Sequence, residues 1–309
     1  MPDDSHKTIP DAILETVAYA DIFDHPLTAP EIHRYLTGVV VSFESLNEVL
    51  KNTSGLVQSG DHFTLPGREE IIPIREKREA RSQKLLPVAI RYGRILGSLP
   101  FIRMVALTGS LAVLNVSKTD DFDYMLVAVP GRVWTARAFS LLINRIVKRS
   151  GHTICPNLIV SRNHLKWPLH DLYSARELCQ MVPVSGMEVY HELIRVNAWA
   201  RDHLPNAFSE NGNVSQIQTE RRSVFQKRME FFLSGALGDR FETWEMDRKI
   251  NRFSRQDGFG EETVFNADVC QGNFHHHRKW THEAYQQRLR KLHSTALLLG
   301  SEKVGDGAV

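Results

Sequence analysis

The sequence predicts an α+β protein with a sheet in the middle of the chain and helices around it. Short apolar runs typical of buried strands lie at 104–107, 124–129 and 153–161. Apolar residues at helical spacing from about 133 to 149 fit a crossover helix that covers a sheet. Helical patterns also dominate both ends of the chain. With 309 residues, the chain is long enough for two or three domains with cores of their own.

Residues 1–70 carry the signals of three helices followed by a hairpin. Apolar spacing predicts a helix over 11–23. Thr28, Pro30 and Glu31 form an N-cap and first turn for a second helix. Ser42 or Ser45 caps a third helix that runs to Leu50, and a Gly-containing turn joins strands near 56–57 and 62–65. This order resembles a winged helix-turn-helix.

The resemblance raises two alternatives for this segment, DNA binding and docking on a protein partner. The third predicted helix carries Glu44 and Glu48 against Lys51, so it lacks the positive face with which recognition helices contact DNA. We expect a packing or partner-docking module, with DNA as the less favoured partner.

Residues 71–100 form a predicted connector, with a helix over about 75–92. Its first half mixes both charge signs at helical spacing, which is typical of a solvated face. The functional alternative is that Arg78, Arg81 or Lys84 reaches an acceptor or a phosphate.

The candidate site lies between the first two strands. The chain turns at Thr108-Gly109-Ser110, and the second strand opens with Asp121-Phe122-Asp123. Side chains alternate along a strand, so Asp121 and Asp123 should face one way while Phe122 enters the core. Paired carboxylates favour a raised pKa or a bound cation such as Mg²⁺. A helix over 111–115 would add a dipole favourable to phosphate.

A strand ending in Gly-Ser, about ten residues, and Asp-x-Asp opening a second strand resemble the signature of the polymerase-beta-like nucleotidyltransferases. The resemblance implies that Gly109 and Ser110 contact the phosphates of a nucleoside triphosphate, and that Asp121 and Asp123 are catalytic ligands of Mg²⁺. It also implies transfer of a nucleoside monophosphate to an acceptor hydroxyl. The implied domain, 101–204, is a mixed sheet with flanking helices, followed by a helical region at 205–309.

One feature departs from that pattern. Active members take a third carboxylate from a later strand, and the matching run at 153–161 has none; Asn157 stands where an acid is expected. Asp171 and Glu177 are the nearest acids downstream, with a helix N-cap and a solvated charge as the structural alternatives. The alternative function is therefore a catalytically silent nucleotide-binding or regulatory protein that uses the N-terminal segment to bind a partner or DNA.

The C-terminal region is predicted to be helical over 221–253, with Gly235 and Gly238 interrupting the helix and a polar linker at 206–215. His275-His276-His277 lacks the spacing of a zinc site, so an exposed basic loop or a helix-entry turn is favoured. The alternative is contact of this run with an anionic substrate.

Composition limits the partners. A net charge of +2 is too small to indicate nucleic acid or membrane binding, and no apolar run reaches the length of a membrane span. We expect no membrane partner. Three scattered cysteines and a polar N-terminus without a signal-peptide pattern predict a cytoplasmic protein without a disulfide framework.

Overall fold

The computed structural model describes residues 7–118, 121–208 and 223–305. Residues 7–71 form three helices and a small antiparallel sheet in the strand order β1-β3-β2. The elements are α1 (Ile9–Asp21), β1 (Leu27–Thr28), α2 (Ala29–Arg34), α3 (Phe43–Leu50), β2 (Val57–Ser59) and β3 (His62–Thr64). The predicted helices and hairpin are present, and β1 is an additional strand.

Local capping signals explain why these helices start where they do. Thr28 and Glu31 form a complete capping box at the start of α2, as the sequence predicts. The Ser42 hydroxyl accepts the backbone N–H of Ser45 at the start of α3. A long helix, α4 (Ile72–Gly97), then leads into the main sheet.

The main sheet has six strands in the order β7-β4-β5-β6-β9-β8. Only the pair β5 and β6 is parallel, so the sheet is mixed. The strands are β4 (Ile102–Leu107), β5 (Phe122–Ala128), β6 (Ile154–Ser161), β7 (Val182–Ser185), β8 (Thr263–Phe265) and β9 (Val269–Gly272).

Helices cover both faces of this sheet. One face packs beneath α4, α6 (Val133–Val147) and α11 (Ala236–Phe253), around buried Tyr124, Leu126 and Trp134. The other packs beneath α7 (Leu172–Gln180), α8 (Met187–Val196) and α9 (Ala200–His203). Within β5, alternate residues belong to opposite cores, which is the alternation that a central strand requires.

The C-terminal region differs from the prediction because it contributes strands as well as helices. Its β8 and β9 extend the main sheet at the β6 edge. α10 (Val224–Leu233) and α11 are separated at Gly235, as predicted, whereas Gly238 lies inside α11. α12 (His277–Gly305) returns to pack on α1. Most of the predicted linker at 206–215 lies outside the described residues.

None of the helices within the described ranges is both long and apolar enough to cross a membrane.

Candidate functional site

The antiparallel pairing of β4 with β5 brings the glycine turn and the second aspartate together. Leu107 at the end of β4 lies opposite Tyr124, and the backbone N–H of Thr108 donates to the carbonyl of Asp123 over 2.9 Å. Gly109 has a φ of +66°, and a Cβ added there would lie 2.6 Å from Oδ2 of Asp123. The carboxylate therefore occupies the space that any other residue at 109 would need.

The helix after the turn is shorter and earlier than predicted. α5 (Gly109–Ala112) is a single turn, whereas the sequence predicts a helix over 111–115. Leu114 adopts a φ of +55°, which ends it, and the N–H of Asn115 donates back to the carbonyl of Ser110 over 2.8 Å. The expected contribution of a helix dipole is therefore limited to this one turn.

α4 fixes the loop between α5 and β5. The hydroxyl of Ser82 accepts the N–H of buried Val116, Arg78 donates to Oδ1 of Asn115, and Arg81 donates to the carbonyl of Lys118. These arginines thus bond to the loop that follows the turn. The charge pattern of the sequence favours a solvated face for these arginines, whereas in the structure they bond to this loop.

Phe122 and Asp123 lie on opposite faces of β5, as the predicted alternation requires. Phe122 is only 2% exposed in the core beneath α4 and α6. Asp123 is half-buried on the opposite side of β5, and Asp121, immediately before the strand, is exposed. Asp121 therefore reaches solvent, while Asp123 lies deeper, against the turn.

The neighbouring strand places a cysteine, not an acid or Asn157, opposite Asp123. Cys155 is the register partner of Asp123, and Asn157 is exposed at the irregularity in the β5–β6 pairing. Asn157, which the sequence placed at the position of the third acid, lies two residues further along β6 than the partner of Asp123. Burial, the charge of Asp123 and a hydrogen bond to it raise the pKa of the Cys155 thiol to about 12. Cys155 is therefore a neutral neighbour of the carboxylate.

An acid does approach Asp123, and it comes from a helix. α7 covers the face of the sheet to which Asp123 belongs, and burial together with the charge of Asp123 raises the pKa of Glu177 to about 7. Glu177 is therefore a partly buried carboxyl close enough to Asp123 to respond to its charge, where a solvated charge was the alternative. The burial of α7 at 174–176 and at 178–179 arises from its packing in the folded chain, so no local sequence pattern marked Glu177.

Asp171, the other candidate, has the structural role that the sequence offered as its alternative. Its side chain accepts the N–H of Ser174 over 2.8 Å as the N-cap of α7. It also pairs with Arg278 over 3.3 Å. These two contacts account for its carboxylate, so Glu177 is the additional acid at this site.

Tyr173 lies on α7, one helical turn before Glu177. Burial and the charge of Glu177 raise the pKa of its hydroxyl far above neutrality. The phenol is therefore a hydrogen-bond donor at physiological pH. Asp121 and Asp123 supply hard oxygen ligands beside the glycine turn. Glu177 is a group that can exchange a proton near neutral pH.

The histidine run is a helix-entry turn, as favoured by the sequence. α12 begins at His277, and the buried Glu262 accepts the backbone N–H groups of Arg278 and Lys279. Over the ranges 7–118, 121–208 and 223–305, no group of three or more His, Cys, Asp or Glu side chains is arranged to hold a metal ion.

Comparisons of the chain with protein-family models, curated proteins and solved structures found no match, so functional inference rests on the site itself.

Proposed function

We propose that the protein is a Mg²⁺-dependent nucleotidyltransferase that moves a nucleoside monophosphate from a nucleoside triphosphate to an acceptor hydroxyl. The observation that carries this proposal is the contact of Asp123 with Gly109. This contact places a carboxylate against a glycine turn, where β4 ends and β5 begins. Triphosphate and cation have to meet at such a junction for this chemistry.

The residues have distinct roles in this proposal. The turn at Gly109 and Ser110 holds the phosphates through backbone N–H groups and a hydroxyl. Asp121 and Asp123 hold Mg²⁺, which neutralises charge on the phosphate oxygens when bound. The acceptor oxygen bonds to the α-phosphorus, the bond from that phosphorus to the bridging oxygen breaks, and pyrophosphate leaves. Glu177 takes the proton of the acceptor hydroxyl, since its carboxyl lies near Asp123 and has a pKa of about 7.

The ligands present suit this ion. Mg²⁺ prefers oxygen ligands, and proteins commonly hold it with one or two carboxylates while substrate phosphates and water complete its shell. Asp121 and Asp123 meet that requirement without a third protein ligand. Cys155 would not compete for the ion, because its thiol is protonated and soft.

Titration calorimetry with each of the four nucleoside triphosphates and Mg²⁺ tests the site. Wild type should bind at least one of them, and Asp121→Asn/Asp123→Asn should bind it at least tenfold more weakly. Glu48→Gln, an exposed change on α3, is the control and should bind normally. Pyrophosphate release in an acceptor screen then tests turnover. Absence of binding to wild type would contradict the proposal.

Nucleotide binding without turnover is the second candidate, and it is favoured by the neutral Cys155 opposite Asp123. In that case Mg²⁺-dependent binding would occur without pyrophosphate release across the acceptor screen. Glu177→Gln separates the two: loss of turnover with retained binding supports the enzyme.

The N-terminal unit supports a further part of the proposal, a winged-helix-like docking module. Its element order and its β1-β3-β2 sheet resemble those of a winged helix. Glu44 and Glu48 are both exposed on α3, which opposes contact with DNA phosphates. The proposed ligand is therefore a protein partner, and salt-sensitive retention on duplex DNA would contradict this assignment.

A further inference from the structure

The hairpin formed by α10 and α11 carries a cluster of large apolar side chains on its outside. This hairpin patch consists of Val224, Phe231, Phe232, Leu237, Phe241 and Trp244. Phe231, Phe232 and Leu237 are 79%, 73% and 77% exposed. Such an unpartnered cluster marks an interaction surface.

The patch surrounds the tip of the hairpin. Phe231 and Phe232 lie in the last turn of α10, Leu237 lies in the first turn of α11, and the intervening Ser234 and Gly235 are exposed. Phe241 and Trp244 continue the apolar stripe along α11, with ring centroids 5.8 Å apart. Apolar groups thus lie on both sides of the exposed turn.

The charges of the hairpin are sorted between its inner and outer sides. Three acids bond to the body of the protein: Glu230 with Arg103 at 2.8 Å, Asp239 with Arg132 at 2.6 Å, and Glu242 with the backbone N–H groups of Trp134 and Thr135. Glu245 is buried and pairs within α11.

The exposed charge next to the patch is consequently mostly basic. Lys227, Arg228 and Arg240 are exposed close to the tip, and Arg248 stacks its guanidinium 5.1 Å from the Trp244 ring. Among the described residues of these two helices, the exposed acids are Asp239, which pairs with Arg132, and Asp247. The patch therefore offers apolar and positively charged groups together.

We propose that the hairpin patch is a peripheral anchor that inserts its tip into the surface of an anionic lipid bilayer. Phenylalanine, tryptophan and leucine beside lysine and arginine are the composition of interfacial membrane segments, in which acyl chains take the apolar groups and lipid phosphates pair with the cations. The expectation of no membrane partner used the net charge of the whole chain. That charge is small because it averages the basic residues of this cluster with acids elsewhere.

Two other occupants fit less well. A second copy of the chain would bring Lys227, Arg228 and Arg240 against the same cations, which repel. A single-stranded nucleic acid would pair with the cations and stack on the aromatic rings, but it would leave the aliphatic Val224 and Leu237 without partners.

The attachment of the hairpin leaves the proposed nucleotide site accessible. Glu230 bonds to Arg103 and to the backbone N–H of Phe101, at the start of β4, whereas Gly109 follows its end. A six-residue strand places these ends roughly 20 Å apart. Docking through the tip would therefore turn the opposite end of the sheet toward solvent.

Co-sedimentation of the full chain with lipid vesicles tests the anchor. Vesicles of phosphatidylcholine with phosphatidylglycerol should bind the protein, and pure phosphatidylcholine should bind it at least fivefold less, with 0.5 M NaCl abolishing most of that difference. Phe231→Ser/Phe232→Ser should weaken partitioning at least tenfold, and Lys227→Glu/Arg228→Glu should remove the preference for anionic lipid.

The control is Val40→Ser/Leu169→Ser, which changes two exposed apolar residues elsewhere and should leave binding unchanged. All these side chains are exposed, so circular dichroism should show folded variants. Failure of wild type to sediment with millimolar anionic lipid, or equal binding by the phenylalanine variant, overturns the anchor. Tip-dependent RNA retention or tip-dependent dimerisation without vesicle binding also overturns it and identifies the other occupant.

Discussion

The site needs two properties of Gly109, its left-handed backbone conformation and its lack of a side chain. We expect Gly109→Ala to lose roughly 1–2 kcal/mol from its left-handed backbone alone. It should lose more because the new Cβ would displace the Asp123 carboxylate. Urea unfolding measures the stability, and calorimetry measures Mg²⁺-nucleotide binding, which should fall at least tenfold.

Gly131 provides a matched control for that experiment. Its φ is +70°, close to that of Gly109, but a Cβ added there meets no atom within 4 Å. Gly131→Ala should therefore show the backbone cost without the clash and bind nucleotide normally. Equal losses in both variants would indicate that the approach of Asp123 contributes nothing.

Glu177 should make the metal-free protein less stable as the pH rises. Its folded pKa of about 7 lies above the value of about 4.3 in an unfolded chain. The folded state thus holds the proton more tightly between these values, and stability is lost as the pH rises through that window. Glu177→Gln removes the loss, so it should gain roughly 1–3 kcal/mol over wild type between pH 4 and pH 8.

Urea unfolding in EDTA at both pH values measures this gain. Glu48→Gln, on the exposed face of α3, controls for loss of a carboxylate and should show no pH-dependent difference. If the stabilities of wild type and Glu177→Gln changed with pH in parallel, Glu177 would be a solvated charge, the alternative that the sequence offered.

At the scale of elements, carboxylates from distant helices complete local structure. Glu242 on α11 accepts the N–H groups of Trp134 and Thr135 at the start of α6, and it also accepts the Thr135 hydroxyl. We expect Glu242→Ala to cost roughly 2–4 kcal/mol, because it leaves three buried donors unpaired. Urea unfolding should show this loss, while Asp247→Ala on the exposed side of α11 should stay within about 0.5 kcal/mol of wild type.

The sequence could predict elements that depend on local patterns, but not those that depend on contacts between distant residues. The capping box of Thr28 and Glu31 is a local pattern, and so are the apolar runs of β4 and β5. By contrast, Glu242 lies 108 residues after the backbone group that it caps, and β9 joins β6 across more than a hundred residues. Short strands such as β8 and β9 also lack a strong local signal. Their pairing depends on an edge that only the folded sheet provides.

The candidate site divides in the same way. The positions of Gly109, Phe122 and Asp123 follow from strand alternation and a turn, both of which are visible in the sequence. Glu177 does not follow from them, because its environment depends on how α7 crosses the sheet. Asn157 was misplaced because the register of β6 is set by its pairing with β5 in the folded sheet, and that pairing puts Cys155 opposite Asp123.

At the scale of the whole molecule, α12 connects the main sheet to the N-terminal unit. Its first turn is capped by Glu262, which immediately precedes β8. Further along, Tyr285 lies with its ring centroid 5.5 Å from that of Tyr19, and Leu289 packs against the core of residues from α1 to α3. Buried Asp21, at the end of α1, pairs with Arg288 over 2.6 Å. One helix is thus hydrogen-bonded to the segment before β8 at its start and packs in the N-terminal core further along.

Removing the apolar contacts of α12 should therefore loosen the N-terminal unit selectively. In Tyr285→Ala/Leu289→Ala, we expect backbone amides of α1 to exchange with deuterium at least tenfold faster. A lost aromatic and a lost leucine contact together cost several kcal/mol there, on the order of 4. Amides of β5 should keep their protection, because their contacts lie in the main sheet. Hydrogen–deuterium exchange with mass spectrometry measures both segments in one experiment.

Gln287→Ala/Arg290→Ala, on the exposed side of the same helix, provides the control and should leave both segments protected. If the apolar variant accelerated exchange in α1 and β5 equally, the chain would unfold as one cooperative unit, and α12 would not be a separable connection. Selective exchange in α1 would instead mean that the N-terminal unit opens without the main sheet, and that α12 is a separable connection between them.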